Sequence, residues 1–397
     1  MSRPSPRSLQ KYATTHLPLK TYFAQAGDGR LLPRIPAKSI VWAIVVSVVL
    51  RKSTFLAIQR TVRSIILKSL PITRRFSDDT LHYFCERVNV EATRTALISV
   101  LRWAKRGKAF DRSYRIGLAI DGVTSGHSVR RCCPMCRPVV NDAGRIIGYH
   151  HSAAVISVVG VGITLPFDAE PYGPGDSEYE AGKRLLVRAR GALGARFAQY
   201  LVVDGGFATA PFLHTADTTG FPVVARLKDN LPTLYTAARK RFETQKPHRE
   251  FWYDGDRVEL WDADNFQAWD ALQWPTVRVI RYRQIKPSGT VIEAYWFTNL
   301  PKSLVGTIAL FKMCKSRWEI ENEGFNDAKN RYGLKHIRHH DPNSILFVWL
   351  ITFLAMVIER LYRHRYLHRR NHPVMPAVEL CNLFVLQLQP LGANDSS

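Results

Sequence analysis

Three carboxylate-bearing segments carry the strongest chemical signal in the chain: Leu118-Ala119-Ile120-Asp121-Gly122, Leu201-Val202-Val203-Asp204-Gly205 and Arg317-Trp318-Glu319-Ile320-Glu321. An apolar run that stops at Asp-Gly reads as a buried strand delivering its last side chain to the mouth of a sheet. Two aspartates so placed repel each other unless a cation neutralises them, so the arrangement either raises a pKa or binds divalent metal. Magnesium suits oxygen ligands, and a pair of such ions polarises a phosphodiester, activates an attacking water or 3'-hydroxyl and stabilises the leaving oxygen of an in-line displacement. Either Asp-Gly pair alone is ordinary turn punctuation. Together with a distant helical glutamate, the aspartates point to two-metal phosphoryl transfer.

The glutamate falls in a stretch with helical pattern, residues 304–330. Arg317 and Glu321 are four apart and share a face, while Trp318 and Phe311 point to an apolar one. One surface can then offer a carboxylate to metal and a guanidinium to phosphate. An isolated i,i+4 surface ion pair is the simpler alternative.

The charge balance points to the same chemistry. With 56 Lys plus Arg against 33 Asp plus Glu the net charge is +23, a field that favours a polyanion, nucleic acid first. An anionic membrane is the rival, and the apolar run 40–50 is the segment that would argue for it. Its eleven residues fall short of the roughly 20 a bilayer span needs, so it reads as a buried helix or an interface, and no membrane partner is expected. No apolar targeting run lies near Met1, which makes a reducing, cytoplasmic and nucleoid-associated setting the expectation. Six cysteines do not make a disulfide scaffold. Cys132, Cys133 and Cys136 form a cluster in which the last two have C-x-x-C spacing, with His127, His150 and His151 nearby. One such pair is a weak zinc signal, and free thiols in a loop or small core are the expectation. Cys85, Cys314 and Cys381 read as buried thiols.

The pattern divides the chain into a basic flexible arm (1–36), a helical DNA-binding region (37–111), a first α/β part (112–227), a β-rich insertion (228–304), a second α/β part (305–370) and a C-terminal tail (371–397). In the helical region, Ser77 followed by Asp78 and Asp79 predicts a helix start. Leu97, Val100, Leu101 and Ala104 then recur on one side of a helix ringed by Arg94, Arg102, Lys105, Arg106 and Lys108, suiting a helix-turn-helix reader. Strands are expected at 114–120, 153–165, 199–203 and 221–227, with a helix at 177–195 between the second and third. Short β runs at 276–283 and 294–298 mark the insertion, and an apolar helix is expected at 345–362. Strands alternating with crossover helices predict an α/β sheet with its ligand site at the carboxyl edge. Asp168, Glu170, Glu178 and Glu180, lying between the two aspartate strands, are expected to face solvent.

The string Arg317-Trp318-x-Ile320-Glu321, followed by Phe325 and Lys329 and preceded by the two Asp-ended strands, resembles bacterial insertion-sequence transposases of the DDE type, in the group with a β-strand insertion before the glutamate. The resemblance covers residues 75–360. It implies an RNase H-like catalytic core, an N-terminal DNA-binding region and cut-and-paste transposition acting on terminal inverted repeats. Two Mg2+ ions, with Mn2+ as a substitute, would serve a homodimer that holds double-stranded transposon ends and target DNA. By position, Asp121, Asp204 and Glu321 match the metal-binding triad, Arg317 the phosphate-contacting arginine and Lys329 the lysine. Trp296 resembles the tryptophan on which a flipped base stacks, core packing being its alternative. Arg226 and Lys228, at the insertion junction, are candidates for phosphate contact.

Two departures stand out. Cys314 occupies the place of a tyrosine three residues before the arginine, and the lysine is eighth rather than seventh after the glutamate. At about 100° per residue an ideal helix would set Lys329 about 80° from Glu321, so either a bulge near Gly324 realigns it or its role differs, and Glu323 competes with Glu321. Another RNase H-like nuclease, or a domesticated DNA-binding protein without turnover, would share much of this pattern.

Overall fold

A computed structural model describes residues 4–52, 54–64, 72–110, 115–368 and 372–388. The first six helices, α1 (Pro6–Thr15), α2 (Lys20–Gln25), α3 (Ala37–Val49), α4 (Phe55–Arg63), α5 (Asp78–Arg87) and α6 (Val90–Arg106), precede the sheet. Ten strands then follow: β1 (Gly117–Ser128), β2 (Arg137–Val140), β3 (Ile146–Val159), β4 (Leu165–Tyr172), β5 (Tyr200–Val203), β6 (Val223–Leu227), β7 (Arg249–Tyr253), β8 (Asp256–Phe266), β9 (Val277–Ile285) and β10 (Val291–Thr298). They form one mixed sheet in the order β2-β3-β1-β5-β6-β10-β9-β8-β7, with β4 paired to β3. Its centre is β1, antiparallel to β3 and parallel to β5, which is parallel to β6. Continuous burial of Leu118–Ile120 and Tyr200–Val203 is what a strand covered on both faces requires.

Helices cover the sheet. After β4 comes α7 (Glu178–Leu193), whose N-cap Ser177 accepts a hydrogen bond from Glu180 N, followed by α8 (Ala210–Thr218) and α9 (Pro232–Glu243). Then come α10 (Thr307–Glu319), a π-helical segment at Ile320–Asn326, α11 (Asp327–Asn330), α12 (Pro342–Leu361) and α13 (Ala377–Leu388). The N-cap of α12 is Asp341, which accepts from Ser344 N at 2.8 Å. Pro342–Leu367 is long and apolar enough to cross a bilayer, and 94% of its apolar window is buried against the rest of the protein. Its neighbours are β4, α3, α5 and α6. Each Leu, Ile or Phe it buries contributes roughly 1.5–3 kcal/mol. The apolar run at 40–50 is α3, likewise buried all round.

Two expectations are corrected. The described part of residues 1–36 is not an extended arm: α1 and α2 bury Leu9, Tyr12, Ala13 and Phe23, Ser5 and Ser8 form a capping box, and Ser8 Oγ lies 2.7 Å from Tyr362 Oη. Those apolar residues were hidden among prolines and basic side chains. The tail is folded as far as α13, which buries Leu380, Cys381 and Phe384; residues 389–397 lie outside the described residues. The expected β-rich stretch 228–304 carries β7–β10, and because β10 pairs directly with β6 this meander lengthens the core sheet.

The basic face of α6 is also spent differently from expectation. Arg94 bonds Asp168 of β4, Arg102 donates to Ala192 O, and Lys105 donates to Arg196 O and Phe197 O. These side chains tie the helix to the α/β body. Arg106 and Lys108 remain exposed.

Candidate active site

The last hydrogen-bonded couple between β1 and β5 is Ile120 with Val203, so the next residue on each strand, Asp121 and Asp204, stand side by side at one strand spacing, about 4.8 Å. Their backbones differ. Asp204 follows the end of β5 and opens a 3-10 turn at Gly205–Phe207, as its Asp-Gly pair predicts. Asp121 lies in mid-strand, because β3 goes on pairing with β1 past it to Ser125 opposite His151. The expected turn at Gly122 is therefore absent. Glycine is needed there for another reason: a Cβ on Gly122 would meet the Glu178 carboxyl at 2.4 Å.

The third carboxylate arrives from below. Arg317, buried in α10, donates to Glu321 Oε2 at 2.9 Å and to Asp121 Oδ2 at 3.5 Å, linking helix to strand. Lys228, just past β6, donates to Asp204 Oδ2 at 2.8 Å. Glu323 faces away, accepting from Thr164 Oγ1 at 3.1 Å. Among the two candidate glutamates, Glu321 is the one beside the aspartates.

Electrostatics follow burial. Burial, with the Glu178 and Asp204 charges adding, pushes Asp121 up to about 6 against the pull of Arg317 and the Gly122 N–H. Burial also lifts Asp204, but the Lys228 bond and charge, the Gly205 N–H and Arg317 outweigh it and leave its carboxyl below the usual range. Glu178 is raised, chiefly by burial, with the Asp204 charge adding to it. This residue belongs to the site and was misread as solvent-facing; as the first residue of the crossover helix α7 it projects toward the sheet's carboxyl edge, a placement its position after Ser177 signalled. Its sequence neighbours do other work: Glu180 is exposed and pairs with Lys183, while Asp168 and Glu170 are held by arginines.

Lys329 is brought to the site by the π-helical segment. A π turn accommodates one extra residue, which offsets the phase error expected of a lysine eight positions after the glutamate. The ammonium lies close enough to feel Asp121: burial lowers its pKa, Asp121 opposes that and Lys335 adds to it. The wider turn leaves backbone carbonyls short of helical partners, and Arg360 of α12 donates to Glu323 O and, at 3.1 Å, to Asp327.

Two expected DNA contacts lie elsewhere. Trp296 in β10 is fully buried, edge-on to Trp318 at 5.8 Å between ring centroids. It presents no free face to a base, and core packing describes it. Arg226 sits over the Trp296 ring at 5.5 Å and donates to Glu293 O at 3.4 Å, turned toward the β7–β10 meander. Cys314 lies on the buried face of α10 and is fully covered, too far inside to replace a surface tyrosine.

The site thus gathers adjacent strand-borne aspartates, a glutamate from a later helix and the cations bonded to them on an α/β scaffold. Residues 175–358 match the family model described as Transposase DDE domain. The matched span holds Asp204 and Glu321, and Asp121 precedes it. Among solved structures, the cryo-EM structure of the piggyBac transposase synaptic complex with hairpin DNA is similar to this chain at a TM-score of 0.45 and 10% identity, over 98% of this chain and 80% of that one. No curated protein gives a match.

Proposed function

We propose that the chain is a cut-and-paste DNA transposase with an RNase H-like core, in which Asp121, Asp204 and Glu321 hold two divalent cations, Mg2+ by preference, at the ends of a mobile element. The observation that carries this reading is the convergence of two of the three carboxylates, Asp121 and Glu321, on one guanidinium, Arg317, with Lys228 on the remaining aspartate, Asp204. The donor set fits hard divalent ions: all ligands are carboxylate oxygens, and Asp121, Asp204, Glu178 and Glu321 outnumber the cations now bonded to them. When bound, such ions supply Lewis-acid polarisation of the phosphodiester and a deprotonated attacking oxygen. The chain's own groups supply the rest. Strand-anchored aspartates fix the position of the reacting phosphate, Arg317 and Lys228 are the cations available to neutralise its oxygens, and Lys329 extends that positive edge. End recognition falls to the N-terminal helices, where Lys11, Lys20, Lys38, Arg106 and Lys108 remain exposed. The excess of 23 positive charges makes that binding steeply salt-dependent, since each neutralised phosphate releases counterions.

The test is cleavage and strand joining by the full chain on duplexes bearing the repeats that flank its coding region, with Mg2+. Asp121→Asn, Asp204→Asn and Glu321→Gln should each reduce cleavage to background while end binding persists. Wild-type rates in either aspartate variant would overturn the two-metal reading, and cleavage without joining would make the chain a nuclease of another kind.

A further inference from the structure

We propose a second metal centre, a structural zinc site formed by Cys133, Cys136, His151 and His340. It lies apart from the carboxylates. Cys133 and Cys136 occupy the turn between β1 and β2, where Cys136 N donates to Cys133 O at 3.2 Å. His151 comes from β3, and His340 immediately precedes Asp341, the cap of α12. One ligand atom from each of the four lies within 4.8 Å of the others.

The spacings match a tetrahedron. Bonds of about 2.3 Å to sulfur and about 2.0 Å to nitrogen imply edges of about 3.8 Å between sulfurs and about 3.5 Å from sulfur to nitrogen. The two Sγ atoms are 3.7 Å apart, and they lie 3.1 Å and 3.6 Å from His151 Nε2. A disulfide would need about 2.05 Å. His340 Nδ1 is buried with no hydrogen-bond partner among the described residues, an orphan that a metal-bound imidazole would explain. Four protein ligands, three of them buried, leave no open position, so the ion is structural rather than catalytic. Cys132 stands outside: it is exposed, and its thiol donates to Arg130 O.

The site gives a rigid join where the sheet meets the segment after the glutamate helix. Nearby, Gly126 N donates to Lys335 O at 2.9 Å, and Ile337 packs where a Cβ on Gly126 would fall. Zinc would fasten that segment to the far end of the strand bearing Asp121.

The full chain, purified under reducing conditions without chelator, should carry about one Zn2+ per molecule by elemental analysis. Cys133→Ser, Cys136→Ser and His340→Ala should lose it, while Cys132→Ser and the Asp204→Asn variant of the carboxylate site should keep it. To keep the test independent of folding in the cysteine variants, Co2+ exchanged into the wild-type chain is the second readout, expected to show the intense visible bands of tetrahedral thiolate ligation. Failure to retain Zn2+ after incubation and washing, an octahedral Co2+ spectrum, or equal zinc loss in Cys132→Ser would overturn the site.

Discussion

Two clusters of acids and bases in this protein behave in opposite ways. Between α6, β4 and α7, Asp168, Glu170 and Asp176 meet Arg94, Arg184 and Arg188 in a closed lattice. Asp168 accepts from Arg94 at 2.8 Å and Arg188 at 2.6 Å, and Glu170 from Arg184 at 2.7 Å and Arg188 at 2.9 Å. Arg184 also reaches Asp176 at 2.6 Å. Glu91 also pairs with Arg94, so four acids meet three forked bases there, and each acid is held by at least one guanidinium. At the candidate site, by contrast, Asp121, Asp204 and Glu321 share Arg317 and Lys228, Glu178 pairs with neither, and Asp121 is pushed up to about 6. Clustered acids alone do not mark chemistry; acids folded together without enough counter-charge do.

That contrast can be broken by experiment. Loss of pure packing sets the scale: Trp296→Ala should lower unfolding free energy by about 3 to 5 kcal/mol in urea titrations, its residual folded fraction cleaving normally. Stalling after the first nick in a variant of wild-type stability would restore the base-stacking role. Next in size, Asp168→Ala should cost up to about 3 kcal/mol, because it takes the shared, buried carboxylate from two largely covered guanidinium groups, leaving Arg94 with Glu91 and Arg188 with Glu170. An unchanged urea midpoint would mean that the arginine lattice is ornamental.

Asp121→Asn should act the other way. A carboxyl whose folded pKa lies above its unfolded value withholds stability once ionised. Without divalent metal, the substitution should leave the chain as stable as wild type near pH 4 and equally or more stable above about pH 6, where Asp121 ionises. A large loss at pH 8 would place Asp121 with the lattice rather than opposite it. The smallest effect belongs to Glu178→Gln. Removing a neighbouring negative charge should move the Asp121 titration to lower pH by less than about one unit, read by carboxyl NMR or by the acid limb of cleavage. No shift would separate Glu178 from the site.

The carboxylates were legible because strands advertise themselves locally: the apolar runs 118–120 and 201–203 mark two buried strands that each lead into an aspartate, and Arg317 and Glu321 declare a shared face by spacing. What β1 does after Asp121 was not legible, since only pairing with β3 keeps Asp-Gly extended. The same limit applied to α6. Its amphipathic period was readable, but the carbonyls that claim Arg102 and Lys105 come from residues about ninety positions away. Glu178 and His340 needed tertiary structure for the same reason. Each is ordinary in its own segment and becomes notable only beside a partner from another strand or turn.

The π-helical segment has a mechanical consequence. A helix transmits rotation: one residue added at its middle turns everything downstream by about 100°. Here the additional residue is taken up as girth, within 320–326, and Arg360 clamps the swollen turn to α12. Upstream, Arg317 and Glu321 keep their angular setting toward the sheet, and downstream the lysine and the approach to α12 keep theirs. The segment works as an expansion joint in a drive shaft, so a one-residue deletion there would twist the two ends of the site out of phase although no ligand had been touched.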